Sequence, residues 1–348
     1  MKVKRWLAGA LALLLVAAGC GDDDDGGDGD GVTLRLVTHD SFAVSDEVLE
    51  AFTAESGIAV EIVASGDAGA ALNLSILNRE NPLGDVFFGV DNTFLTRALD
   101  ADLFLRHRSP AIDDVDPRFV LDDEHRVTPI DHGEVCVNFD RSTYPDGPPA
   151  TFEDLAGPTE RGRLVVQNPA TSSPGLAFLL GTIAHFGEDD WQDWWRALVA
   201  NDVLVATGWE EAYYQHFSGG SGEGDRPLVV SYATSPPAEV IFAEPQPDDA
   251  PTGVLVDTCV EQIEFAGILQ GTEHEDEARQ LIDFMLSPVF QADMPMQMFV
   301  LPVVEGIDLP EEFVAHAAVV PEPLRLDPAD IDVNRDRWID EWTEIVLG

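Results

Sequence analysis

The chain has 348 residues, 45% of them hydrophobic, and a formal net charge of −46. The length suits two lobes and the hydrophobic share is ordinary for a globular protein. The acidity argues against nucleic acid as a partner, and no run after residue 19 is long and apolar enough to cross a bilayer.

The amino terminus reads as an address. Lys2, Lys4 and Arg5 form a positive segment, and residues 6–18 form an apolar segment too short for a comfortable span. It closes on Val16-Ala17-Ala18-Gly19-Cys20. Small residues before a cysteine resemble a bacterial lipoprotein signal, so residues 1–19 are expected to be removed and Cys20 to carry lipid, tethering the protein without a span. Residues 21–31 are only Gly and Asp. They cannot bury a core and read as a self-repelling tether, residues 20–31 with the cysteine. The ligand spacing of a calcium loop is absent from them.

Residues 33–37 alternate and read as a strand running into Thr38-His39-Asp40-Ser41-Phe42. Ser45 is placed to cap the next helix, Val48, Leu49 and Phe52 give its apolar face, and Gly57 ends it. Residues 58–64 are a second strand, 65–69 a turn carrying Asp67 and Ala68, and a helix runs from Ala70 to before Pro82. Residues 85–90 are a third strand, running into Asp91-Asn92. This rhythm is that of a parallel sheet with helical crossovers. Asp40, Asp67 and Asp91 each follow a strand's carboxyl end, where open α/β sheets bind ligands.

A second α/β unit begins after Asp140. A short helix spans 151–156 and a strand 164–167. Asn168-Pro169-Ala170-Thr171-Ser172-Ser173-Pro174-Gly175 then leads into an apolar helix over 176–186. A helix entrance leaves backbone N–H groups unpaired, and hydroxyls beside it suit a ligand oxygen or phosphate, though the same residues also serve as a plain N-cap. An amphipathic helix covers 191–200, a strand 202–206 ends at Thr207-Gly208-Trp209, residues 210–217 look helical, and 218–225 form a Gly-rich loop. A strand over 228–232 ends at Ala233-Thr234-Ser235-Pro236. Residues 259–269 and a helix over 275–286 resume the first pattern, and a tail helix over 332–346 sets Trp338 and Trp342 on one face as core packing. The layout is two α/β lobes joined near Cys136 and near Cys259, with a cleft between. Those two cysteines are either one disulfide or two buried thiols.

No P-loop, G-x-S-x-G or H-E-x-x-H motif is present, and the eight histidines are scattered; only His39 holds a strand-end place. Trp209, Tyr213, Tyr214 and Tyr232 offer rings for a flat cationic heterocycle, or ordinary packing. A tyrosine pair also suits ferric iron, but adjacent residues on a helix point about 100° apart. Met294, Met296 and Met298 offer thioethers to copper or, more ordinarily, adaptable packing.

Taken together, these strand-end motifs resemble the extracytoplasmic thiamine-binding proteins of bacterial ABC importers. The resemblance rests on 38–43, Gly89-Val90-Asp91-Asn92, 168–175, Gly208-Trp209-Glu210-Glu211-Ala212-Tyr213, 231–236, 287–291 and Trp338-Ile339-Asp340-Glu341-Trp342, in order over nearly all of 33–346. It implies an α/β type II periplasmic-binding-protein fold with two hinge crossings. Lobe I would be 32–136 plus 260–348 with the C-terminal helices, part of which could pack on lobe II, and lobe II 137–259. His39, Asp40, Ser41, Asp67, Ala68, Asp91 and Asn92 would serve the cleft from lobe I, with Phe299. Ser172, Ser173, Trp209, Tyr213, Tyr232, Thr234 and Ser235 would serve it from lobe II, the two serines meeting the hydroxyethyl arm or its phosphates. His39 stands where the family has a stacking tyrosine, Phe299 where a tryptophan is expected, and Ala68 where the family has glycine. A tryptophan shortly after the Asp40 motif is missing. The expected protein is a monomeric, lipid-anchored receptor without enzymatic activity or cofactor, which delivers thiamine or its phosphates to a permease. Receptors for ferric iron or a polyamine, and an exported enzyme on the same scaffold, are the alternatives.

Overall fold

The computed structural model describes residues 31–348. The signal segment, Cys20 and the tether up to Asp30 lie outside the described residues.

The expected alternation forms at the start of the fold. β1 (Thr33–Thr38), α1 (Asp46–Ser56), β2 (Ala59–Ala64), α2 (Ala68–Leu77) and β3 (Val86–Asp91) follow in turn. α1 buries Val48 and Phe52 and stops at Gly57, whose φ of 76° suits a residue without Cβ. Ser45 holds the N-cap position but makes no capping bond with its side chain; its N–H donates to Asp293 Oδ2 at 2.8 Å. α2 begins two residues before the expected Ala70, because the Asp67 carboxylate accepts the Ala68 N–H and caps it there.

After α3 (Leu95–Asp100) come β4 (Thr128–Asp140), α4 (Phe152–Leu155), β5 (Leu164–Gln167), α5 (Ser173–Phe186), α6 (Trp191–Ala200) and β6 (Leu204–Ala206). A π-helical turn, Glu211–His216, replaces the expected regular helix over 210–217. β7 (Leu228–Tyr232), α7 (Ser235–Ile241), β8 (Thr252–Ile268), α8 (Glu275–Met285), α9 (Pro288–Gln297), β9 (Leu301–Pro302), α10 (Glu311–His316) and α11 (Pro328–Val346) complete the chain.

The strands join in one sheet of order β2-β1-β3-β8-β4-β7-β5-β6, with β9 on β4. β1 pairs in parallel with β2 and β3 at one end, and β5 in parallel with β6 and β7 at the other. β3 and β5 are buried along their whole length, as parallel strands covered on both faces require. Between these ends lie the two longest strands, β4 and β8, which pair antiparallel with each other. Together they join the two ends of the sheet: β8 pairs with β3 around residues 264–268, and β4 with β7 around residues 135–139.

The β4–β8 register shifts between Val135 and Val137. Cys136 sits at that break, bonded to Cys259 across a sequence separation of 123. Of the two readings left open by the sequence, the structure has the disulfide. α11 lies against α6: the rings of Trp342 and Trp195 meet edge to face at 5.4 Å, and Trp338 Nε1 donates to Glu188 Oε2 at 2.9 Å. Both tail tryptophans are buried, so their pairing is core packing as expected.

Candidate functional site

The strand ends from the two halves of the sheet converge on a cavity of about 340 Å³. β1 delivers His39 to it. The imidazole is buried, with Phe88 at 5.7 Å and the edge of Phe42 at 6.5 Å. Gly89 makes this place possible: its φ is 99°, and a Cβ there would stand 2.4 Å from His39 Cδ2. Glu264, on β8, approaches from the other side, its Oε1 3.5 Å from His39 Nε2. That is an ion-pair distance, and Nε2 has no hydrogen-bond partner among the described residues. Burial by itself would lower the His39 pKa, but attraction from Glu264, and then from Asp67 and Asp40, outweighs it and leaves the ring above its ordinary value. Asp131 lies opposite Glu264 in the β4–β8 register, buried, with neither carboxyl oxygen hydrogen-bonded among the described residues. Burial and the neighbouring Glu264 hold its carboxyl well above the usual range.

Asp67 ties the two sides of the cavity together. Its Oδ1 accepts from Ala68 N at 2.7 Å and from Ser173 N, at the head of α5, at 3.1 Å. Its Oδ2 accepts from Trp209 N at 2.9 Å. Burial raises its pKa and these N–H groups pull it back, with burial prevailing. A further bond, Ala70 N to Thr171 O at 3.0 Å, runs beside it.

The opposite wall is aromatic. The Trp209 ring lies flat on Tyr213 at 5.0 Å and 22°, and Tyr214 meets both edge-on. Trp209 Nε1 donates to Ser231 Oγ at 2.9 Å, and that hydroxyl pairs with Ser235 Oγ at 2.8 Å. The Tyr213 hydroxyl donates to Glu239 Oε1 at 2.7 Å. Tyr232 follows from the end of β7. The segment after α9 forms the rim: Phe299 adopts φ 54°, an uncommon backbone conformation for a bulky residue and a mark of constrained sites. It stacks on Phe313 and meets exposed Phe242 edge-on at 5.4 Å.

Of the residues singled out in the sequence, His39, Ser41, Asp67, Ala68, Ser173, Trp209, Tyr213, Tyr232, Ser235 and Phe299 line this cavity. Asp40 is exposed and outside the lining. Asp91 is fully buried behind it, accepting from Thr93 Oγ1 at 2.6 Å, Gln262 Nε2 at 3.0 Å and the Ser173 hydroxyl. Asn92 is bonded to the backbone of β8 at Ile263 and Glu261. Ser172 is the buried N-cap of α5, accepting from Gly175 N at 3.4 Å, and Thr234 donates to Phe299 O at 2.5 Å. The hydroxyls of Ser172 and Ser173 are therefore engaged within the protein.

Sequence reasoning gave no site role to Glu264, Glu210, Glu239 or Phe242, all of which line the cavity. Glu264 had a readable signal, a charge inside the apolar run Ile263-Glu264-Phe265, where an unpaired carboxylate is costly. The lining contains no Lys or Arg. Among the described residues no three His, Cys, Asp or Glu side chains gather as a metal site. Met296 and Met298 line the cavity, whereas Met294 is buried in the core.

The sequence matches the family of bacterial extracellular solute-binding proteins over residues 81–322. It is 30% identical over 317 residues to a thiamine-binding periplasmic protein of Escherichia coli (strain K12), covering 90% of this chain and 93% of that one. A protein of the same name from Brucella suis biovar 1 is 30% identical over 322 residues, with 89% and 91% covered. Among solved structures, a periplasmic thiamin binding protein matches with a TM-score of 0.79 at 29% identity, covering 90% of this chain and 96% of that one. Iron-bound HitA from Pseudomonas aeruginosa matches with a TM-score of 0.72 at 19% identity, covering 90% and 99%, a likeness of fold alone.

Proposed function

The chain belongs to the bacterial extracellular solute-binding proteins and has their two-lobed type II periplasmic-binding-protein fold, and from that premise we propose that it captures thiamine between its lobes and passes it to an ABC import permease. Such proteins are transport components outside the cytoplasm and are not enzymes. In this reading lobe I is 32–136 plus 260–348, lobe II is 137–259, and β4 and β8 carry the two crossings. Lipid on Cys20 holds the monomer at the outer face of the membrane, so Cys20→Ser should release it to the soluble fraction.

The observation that carries the ligand assignment is a cavity with an aromatic wall, an acidic wall and, among the described residues, no Lys or Arg in its lining. Thiamine is a flat, positively charged heterocycle joined to an aminopyrimidine. A cation over an aromatic face gains about 0.5–2 kcal/mol, which Trp209, Tyr232 and Phe299 are disposed to supply. Ser41, Asp67 and Ser235 offer polar contacts. Asp91, Asn92, Ser172 and Thr234 act behind them, holding the strand ends in place, and Asp40 stands outside the lining. The bonds from Asp67 to Ser173 and Trp209 join elements of the two lobes, so opening for ligand entry breaks them. The free vitamin suits this site better than its phosphates, because the N–H groups of Ser173 and Trp209 already serve a carboxylate. For ferric iron the tyrosines are badly placed: the Tyr213 hydroxyl serves Glu239 and its ring lies flat on Trp209.

Calorimetric titration of the purified protein with thiamine tests the proposal. Saturable one-to-one binding is expected; no heat at millimolar thiamine would sink it. A protein purified with bound iron and visible absorbance would favour the ferric alternative.

A further inference from the structure

Glu264 and His39 face each other across the cavity floor with no function assigned above. Glu264 projects from β8 into the cavity and is almost fully buried. Among the described residues, His39 is the one cationic partner within ion-pair distance of it. A buried carboxylate without a partner is costly, so Glu264 needs a positive charge beside it. The pair is nonetheless loose: it stands 3.5 Å apart, and His39 Nε2 makes no hydrogen bond among the described residues. The ring cannot withdraw, since Phe88 and Gly89 close the space behind it.

The titratable groups around His39 are all acids. Asp40 is its chain neighbour, Asp67 heads α2, Glu264 comes from β8, and Glu210 faces it from beyond Trp209. Asp131, on β4, faces Glu264 from behind. These groups favour the imidazolium as long as no other cation is present. A second positive charge in the same pocket reverses the balance: the two cations repel, and burial, which disfavours the charged ring, prevails.

We propose that Glu264 is the counter-ion for the positive ring of the ligand, and that His39 occupies its place in the empty cavity as an imidazolium that loses its proton when the ligand enters. This deepens the reading of the cavity as a cation site and rests on it. The step is a simple acid dissociation: one ring N–H bond breaks, its electron pair stays on nitrogen, and the proton passes to the buffer. Two consequences follow by linkage. Binding releases about one proton below the titration of His39 and none above it. Affinity weakens by about tenfold per pH unit below that point, the limit for one coupled proton, and is level above it.

Calorimetry with two probes tests this: thiamine, and benzyltrimethylammonium, a quaternary cation with no titratable group of its own. Each is titrated between about pH 5 and pH 8, the range in which histidine titrates, in buffers of different ionisation enthalpy, so that the buffer-dependent heat counts protons. The expected result is close to one proton released at the acid end, with the release falling as the pH rises through the titration of His39. His39→Gln should abolish the release and level the pH profile, its fold checked by thermal unfolding. Glu264→Gln should weaken both probes by about tenfold or more throughout, at least 1.4 kcal/mol. Binding of both probes without proton release in the wild type, or an unchanged profile in His39→Gln, overturns the inference; if that variant does not fold, the wild-type proton count decides alone. Release with the quaternary probe but no binding of thiamine keeps the inference and removes the thiamine reading. Thiamine binding without release does the reverse, and failure of both probes removes both.

Discussion

The two walls of the cavity are built by different physics. The wall from β1, α2 and β8 presents His39, Asp67 and Glu264, buried groups whose charges depend on one another. The wall from the turn after β6, from β7 and from α7 presents Trp209 and Tyr213, whose rings stack on each other and whose polar ends are already bonded, together with Tyr232. The first wall carries the acids that surround His39, while the second is held by ring stacking and by bonds at its polar ends. On the proposed reading a ligand meets both at once, which favours a flat, positively charged molecule over one with only one of those properties. A polyamine meets the acids but not the rings.

The sharpest way to break this division is Asp67→Ala. It removes the acceptor for the Ala68, Ser173 and Trp209 N–H groups together, and each buried N–H left without a partner costs about 1–3 kcal/mol. Thiamine affinity by calorimetry should fall at least a hundredfold, by about 2.8 kcal/mol, with a lower Tm in parallel. Trp209→Ala attacks the aromatic wall instead. Loss of ring contact should weaken thiamine by about 0.5–2 kcal/mol, with the pH profile of binding unchanged. If the profile changes, the walls are not independent.

Thiamine phosphates sharpen the comparison from the ligand's side. They bring negative charge towards Asp67 and Glu210, and competition titration should rank them below free thiamine by about tenfold, or 1.4 kcal/mol. The smallest effect belongs to Asp131→Asn. Burial and Glu264 raise the Asp131 carboxyl above its unfolded value, so its contribution to stability is complete below the ordinary aspartate range and is lost as pH rises through the folded value. Thermal unfolding of the variant should therefore show a gain of about 1 kcal/mol near pH 8 that disappears towards pH 4.

Much of the fold was legible because parallel strands announce themselves. The apolar runs that became β1, β3, β5 and β7 were bounded by polar strand ends, and those ends converge on the cavity. The long strands were harder. β4 and β8 extend well beyond the runs around Cys136 and Cys259, because their outer residues are held by partners distant in sequence. The helix α9, with Pro295 inside it, and α10 were not anticipated either, and both bear on the rim through Met298, Phe299 and Phe313. At the site, ring residues at strand ends could be picked out singly. The distinction between side chains that line the cavity and those that brace it could not, since Asp40, Asp67 and Asp91 hold equivalent strand-end positions and only register and closure separate them. Glu264 escaped notice because the mid-strand position that hides it also aims it at the ligand space.

The bond between Cys136 and Cys259 lies where the two longest strands pass from one half of the sheet to the other. It ties the two strands to each other at the break in their register. Thiols form such a link in an oxidising compartment and remain reduced in bacterial cytosol. The link is thereby a marker of compartment: a copy retained in the cytosol keeps two thiols at this crossing, and a copy outside it carries the finished bond.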